Sequence, residues 1–286
     1  MRLDGTIILV ALTLDTEYPT SWRRELGTAA QRALALLSLA RELAVPLTWM
    51  LKISAQEKRA NAEHFFEKIA PDLPAGHEVG LHVHFDDEER EHYIREPEDR
   101  AALIAEGAAL LREFGVQPAC FRAGCLRAEA SDLQALEAEG IVVESSIAPG
   151  AAGSRHLADW TSASLHAPYH PARDDLTHSG DSPLVEVPLV TDGSKPLWLD
   201  TWQTTPESHA ILEAALARGD RYLGVIGHDG TTDLERFRTV VARLTALEAR
   251  FVTLHELALD WLAAENRTED LGRSEEHTSE LQSPNT

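Results

Sequence analysis

The stretch Thr6-Ile7-Ile8-Leu9-Val10-Ala11-Leu12-Thr13-Leu14-Asp15-Thr16-Glu17 sets the reading of the whole chain. Its apolar, β-branched run predicts a buried strand over Thr6 to Leu14 that ends in two acids, Asp15 and Glu17. As a secretory signal the run is short and lacks a small-residue cleavage site, so the strand reading implies a cytoplasmic protein. Helical spacing follows at Ala30, Ala33, Leu34, Leu37, Ala40 and Ala44, stopped by Pro46. The alternation then repeats. Strands are predicted at Pro46 to Leu51, Glu78 to His84, Ala119 to Arg122, Val142 to Ile147, Leu184 to Val190, Tyr222 to Gly227 and Phe251 to Leu254. Helices are predicted at Arg59 to Ile69 and Glu98 to Phe114, from a Ser131/Gln134 capping box to Gly140, from Thr205-Pro206-Glu207 to Gly219, and after Thr232 with Glu235. Repeated βα units imply a parallel sheet with helices outside. No Gly-rich phosphate loop follows the first strand, which favours a (β/α) barrel, distorted or incompletely closed, over a dinucleotide-binding sheet.

Composition narrows the partners. The 286 residues carry 26 Lys plus Arg against 47 Asp plus Glu, a net charge of -21, which argues against nucleic acid and anionic membrane surfaces. At 43% apolar the chain is not disordered throughout, and no stretch reaches the ~20 apolar residues of a membrane span. Cys120 and Cys125 suit two free thiols in a reducing compartment. Residues 1–265 read as one catalytic domain and 266–286 as a disordered tail. From Arg273 to Ser283 that tail resembles a translated sequencing adapter, so His277 enters no site argument. Pro149 to Pro183 is polar and without period, long for a connection, and reads as an ordered functional loop.

In a barrel of this kind chemistry gathers at the C-terminal strand ends. Those ends carry Asp15 and Glu17, then His82 and His84 with Asp86 and Asp87 beyond, then Arg122, then His228. Residues two apart on a strand face the same way. Two histidines and a carboxylate suit a divalent cation such as zinc, and leave the other carboxylate free as a base.

At these residues the chain resembles the polysaccharide deacetylases of the NodB-homology group, from about Ile7 to Leu262. The matching segments are Leu12 to Glu17, Gly76-His77-Glu78-Val79-Gly80-Leu81-His82, Phe121-Arg122-Ala123-Gly124 and Ile226-Gly227-His228, in the family's order. The resemblance implies a distorted (β/α) barrel and a metal-dependent hydrolase of non-peptide C–N bonds, most readily an N-deacetylase of a carbohydrate. It implies Asp15 as catalytic base, Arg122 as its partner and His228 as acid. It also implies Glu17 and His82 as ligands of a zinc-like ion, and an oxyanion donor at the backbone near Cys125.

The chain departs from the family pattern in three places. Thr16 separates the two acids. The position four residues after His82, where the family has its second histidine, is Asp86, so the third ligand is His84 or Asp86; strand geometry favours His84. The Pro-Tyr after the arginine is replaced by Gly124-Cys125. Trp198 and Trp202, flanking Asp200, either form a sugar-stacking wall or cover a loop, and Glu186 reads as a buried structural carboxylate. The alternatives are an amidohydrolase acting on a small cyclic amide or imide, or a non-catalytic carbohydrate-binding barrel. Oligomeric state is not written in the sequence.

Overall fold

The computed structural model describes residues 7–17, 26–54, 59–87, 92–154 and 157–265. Strand β1 (Leu9–Thr16) is buried along its whole length. Val10, Leu12 and Leu14 join a cluster shared with the surrounding helices, while Leu9 and Ala11 join a separate inner cluster. Both faces are covered, which is why the strand reads as an unbroken apolar run.

The further strands are β2 (Thr48–Ser54), β3 (Glu78–His84), the two-residue pair β4 (Asp86–Asp87) and β5 (His92–Tyr93), and β6 (Cys120–Ala123). Then come β7 (Val143–Glu144), β8 (Val185–Glu186), β9 (Tyr222–His228) and β10 (Arg250–Val252). The main sheet runs β10-β1-β2-β3-β6-β7-β8 with β9 also on β1, and its ladders are parallel. β9 pairs with β1 from Leu9 to Asp15 and so takes one edge. β10 and β2 share the other, at Leu9 to Ala11 and Thr13 to Thr16. Between β8 and β9 the ring is joined by isolated parallel bridges, Leu189 to Gly224 and Trp198 to Ile226, in place of a ladder. The architecture is a distorted, incomplete parallel (β/α) barrel.

Helices α1 (Leu26–Glu42), α2 (Ala60–Lys68), α3 (Pro97–Glu113), α4 (Asp132–Ala138), α5 (Thr205–Arg218) and α6 (Leu234–Thr245) lie between strands in the chain. A last helix, α7, spans 254–265. Its Leu254, Leu257 and Ala258 pack on Leu9, Met50 and Cys120 in the inner cluster. The first backbone N–H groups of α7 donate to Thr48 Oγ1 (2.9 Å) and Glu78 Oε2 (3.3 Å), at the starts of β2 and β3. Helix α7 therefore stoppers the N-terminal end of the barrel and leaves the other end for chemistry.

Local differences from the sequence reading have identifiable causes. Ser131 has helical backbone angles and makes no capping bond; α4 starts at Asp132, whose carboxylate takes Arg100 and the Glu129 N–H instead. Thr204, not Thr205, forms the capping box with Glu207, and Asp233, not Thr232, caps α6. Each has the extended backbone that an N-cap requires. The strand expected over Leu184 to Val190 ladders only at Val185–Glu186, because Pro183 and Pro188 bring no N–H. The segment 149–183 has no helix among its described residues, and Tyr169 pairs with the free edge of β8 through Glu186. The adapter-like stretch from Arg273 lies outside the described residues.

Candidate active site

Alternation along β1, β3, β6 and β9 aims one set of polar side chains into the open end. From β1 come Thr13 and Asp15, with Glu17 just beyond; from β3 come His82 and His84; from β6 comes Arg122; from β9 comes His228. Glu17 Oε1 lies 3.1 Å from His82 Nε2 and 2.9 Å from His84 Nε2, and the two nitrogens are 3.1 Å apart. The His82 Nδ1 is 3.0 Å from the Arg122 carbonyl oxygen. A carbonyl only accepts, so Nδ1 carries a proton, and in the neutral form of the ring the lone pair lies at Nε2. That lone pair faces a carboxylate oxygen and a second imidazole in a site where His82 is 1% exposed. A cation between the three atoms would reconcile them. Tetrahedral donors roughly 2.0–2.2 Å from one zinc ion lie about 3.3–3.6 Å from each other, so the three atoms, 2.9–3.1 Å apart, need to spread by only a few tenths of an ångström to share one. The backbone of Asp86 is in β4, and its side chain lies outside the described part of the structure.

The base proposed from sequence sits beside this trio. Asp15 Oδ1 accepts from Arg122 Nη1 at 2.8 Å, and its Oδ2 is 3.8 Å from His82 Nε2. Arg122, fully buried, also donates to Thr13 Oγ1 (2.8 Å) and the Ser145 carbonyl (2.7 Å). Burial pushes the Asp15 carboxyl up, but the Arg122 guanidinium, which both faces it and donates to it, outweighs burial and holds the group below the usual carboxylate range.

Two partners escaped the sequence reading. Lys52, buried on β2, places Nζ 3.6 Å from Glu17 Oε2. Asp200, also buried, accepts from His228 Nδ1 at 3.0 Å through Oδ2, and from the His228 N–H and Thr231 Oγ1 through Oδ1. Lys52 sits mid-strand in an apolar run and Asp200 is distant from His228 in sequence, so no spacing signals either. The inward period of β2 could have drawn attention to Lys52. Burial lowers the His228 pKa, yet Asp200 and the carboxylates of Glu17 and Asp15 bring it up to about 9.

Asp15, Glu17 and His228 also bring donor atoms within 4.8 Å of one another. That second set does not suit a second cation. His228 Nδ1 is already held by Asp200 and Asp15 is already paired with Arg122, and Glu17 is shared with the first set.

A cleft of about 590 Å³ opens over these groups, walled by Cys125, Leu126, Leu157, Trp198 and Trp202. Trp198 stacks on His228 (centroids 5.7 Å apart, 20° between planes) and Trp202 meets the same ring at 5.2 Å. Trp202 is 57% exposed despite its size. Cys125 has a left-handed backbone, φ 55°, at the turn after β6. Every site residue expected from sequence with a described side chain thus borders this one end of the barrel.

No protein-family model and no curated protein sequence matches the chain. Its structure is similar to that of a Mycobacterium smegmatis protein assigned as a polysaccharide deacetylase, with 18% identity over 93% of each chain and a TM-score of 0.60. The chain has the polysaccharide deacetylase fold. A family 4 carbohydrate esterase pseudoenzyme from Bacillus anthracis shares this fold, with 9% identity, 88% of this chain and 65% of that one covered, and a TM-score of 0.54. A 4-alpha-glucanotransferase from Thermococcus litoralis is also similar, with 11% identity, 88% and 38% coverage and a TM-score of 0.57. The polysaccharide deacetylase fold therefore carries more than one chemistry, and function has to be argued from the residues.

Proposed function

We propose that the chain is a metal-dependent hydrolase of non-peptide C–N bonds that removes the N-acetyl group from a carbohydrate. The observation that carries this reading is the His82 lone pair, fixed by the Arg122 carbonyl and aimed at Glu17 and His84. The donor set suits zinc, which when bound would polarise the acyl carbonyl and lower the pKa of a water. Glu17, His82 and His84 would hold the ion. Asp15 takes the proton of the attacking water, and Arg122 keeps it ionised and aimed. His228 donates the Nε2 proton to the departing nitrogen, while Asp200 holds the opposite side of the ring. The Cys125 backbone N–H is assigned to the carbonyl oxygen as the charge develops. Trp198 and Trp202 give a sugar ring an apolar face to pack against.

The same proposal puts the protein in the cytoplasm, supported by Cys120 and Cys125, which form no disulfide. A net charge of -21 supports an uncharged small-molecule or carbohydrate substrate over nucleic acid or a membrane surface. The test is metal analysis of the purified protein, with acetate release measured across N-acetylated sugars and a cyclic imide as comparison. Near-stoichiometric zinc and acetate from a sugar are expected. Metal-free protein that releases no acetate after zinc is added would sink the proposal.

A further inference from the structure

We infer that Gly124 is a positioning residue for His84, and that the space left by its missing side chain lets the imidazole join the cation-holding trio. This rests on the metal reading above. A Cβ at Gly124 would lie 2.5 Å from both Cγ and Cδ2 of His84 and 2.8 Å from its Nδ1. No side-chain carbon sits that close to a ring, so one of the two must move.

Backbone conformation does not explain the glycine. The left-handed residues at this turn are Cys125 and Leu126, both with φ 55°, and Gly124 is not among the positive-φ glycines. Register does explain it. β3 pairs with β6 at His82 and Arg122, then at Val83 and Ala123, and the next step brings His84 beside Gly124. A histidine pair spaced by two puts both rings on one face of β3, and the neighbouring strand has to yield room for the second. The His84 ring has little freedom to step aside. It is 4% exposed, stands edge-on to His82 at 88°, and holds Nε2 2.9 Å from Glu17. The two-residue histidine spacing and the glycine two residues after Arg122 are therefore one device.

The experiment strips the purified protein with a chelator and titrates it with Zn2+ in four forms: parent, Gly124→Ala, His84→Ala and the double variant. Melting temperature is followed in parallel. Gly124→Ala is expected to weaken zinc binding by roughly tenfold to a hundredfold, as loss of a ligand's support does. His84→Ala should cost at least as much, and the double variant no more than His84→Ala alone, because the added methyl then has no ring to displace. Additive losses in the double variant would overturn the inference. So would parent-like affinity in Gly124→Ala with a loss in His84→Ala, which leaves the metal reading standing. Parent-like affinity in both removes His84 from the ligand set and the inference with it. If Gly124→Ala alone does not fold, recovery of folding in the double variant carries the point; failure of the double variant to fold would overturn it.

Discussion

Asp15 and Glu17 stand two residues apart yet answer to different partners, Arg122 for the first and the two histidines with Lys52 for the second. Their substitutions should therefore fail differently. Asp15→Asn keeps the side-chain size but cannot take a proton, so zinc content should hold while turnover drops roughly a hundredfold or more. Glu17→Gln should lose zinc affinity itself, with activity partly restored by excess metal. Metal analysis beside turnover separates the two, and full activity of Asp15→Asn would remove it as the base. The pH profile follows from the same residues. A base with a depressed pKa works above it, so the acid limb should lie below the ordinary carboxylate range. An acid works only while protonated, so activity should fall as pH rises through about 9, the His228 value. Asp200→Asn removes the leading support for that value and should bring the alkaline limb down by about a unit or more. An unmoved limb would show that another group sets it.

Between residue and whole lies the pairing of β7 with β8, which puts Glu144 and Glu186 side by side, each 1% exposed. Ser146 donates to Glu144 from its hydroxyl and its N–H, and the Ile147 N–H donates to Glu186 Oε1 at 3.1 Å. Burial and the neighbouring carboxylate push the Glu186 carboxyl well up, so the folded pair keeps a proton that the unfolded chain releases. The stability this pair contributes is then fully present at low pH and declines from the unfolded carboxylate range upward, until the raised folded value is passed. Glu186→Gln supplies the same shape without the proton. Its denaturation midpoint should vary less between mildly acidic and alkaline pH than the parent's, and an unchanged slope would contradict the shared proton. This level also shows what the sequence made legible. β1 and β3 were readable because their apolar periods run unbroken into Asp15 and His84. β8 was readable as a strand but not in its extent, since two prolines cut its ladder to Val185–Glu186, and the helix starts slipped by one residue where adjacent residues could both cap. The burial of Glu186 was visible from its Val-Glu-Val-Pro setting, whereas its partner Glu144 lies 42 positions away.

For the molecule as a whole, the inner cluster is completed by α7. Leu257 is fully buried there, so Leu257→Ala should cost about 2–5 kcal/mol in chemical denaturation. A change within a few tenths of a kcal/mol would mean that α7 is not a stopper. The four motifs could be assembled from sequence because a parallel barrel sends all its strand ends one way. Lys52 and Asp200 could not, because contacts between separate strands leave no spacing in the chain. The sheet order has a temporal consequence as well. β1, β2, β3 and β6 are neighbours and all leave the ribosome early, bringing Glu17, His82, His84 and Arg122 together. β9, which pairs Leu9 with Tyr222, arrives about a hundred residues after Arg122, with Asp200 only shortly ahead of it. On the function proposed above, a nascent chain acquires its means of holding a cation well before it acquires its proton donor, and ion capture can precede the birth of the catalyst.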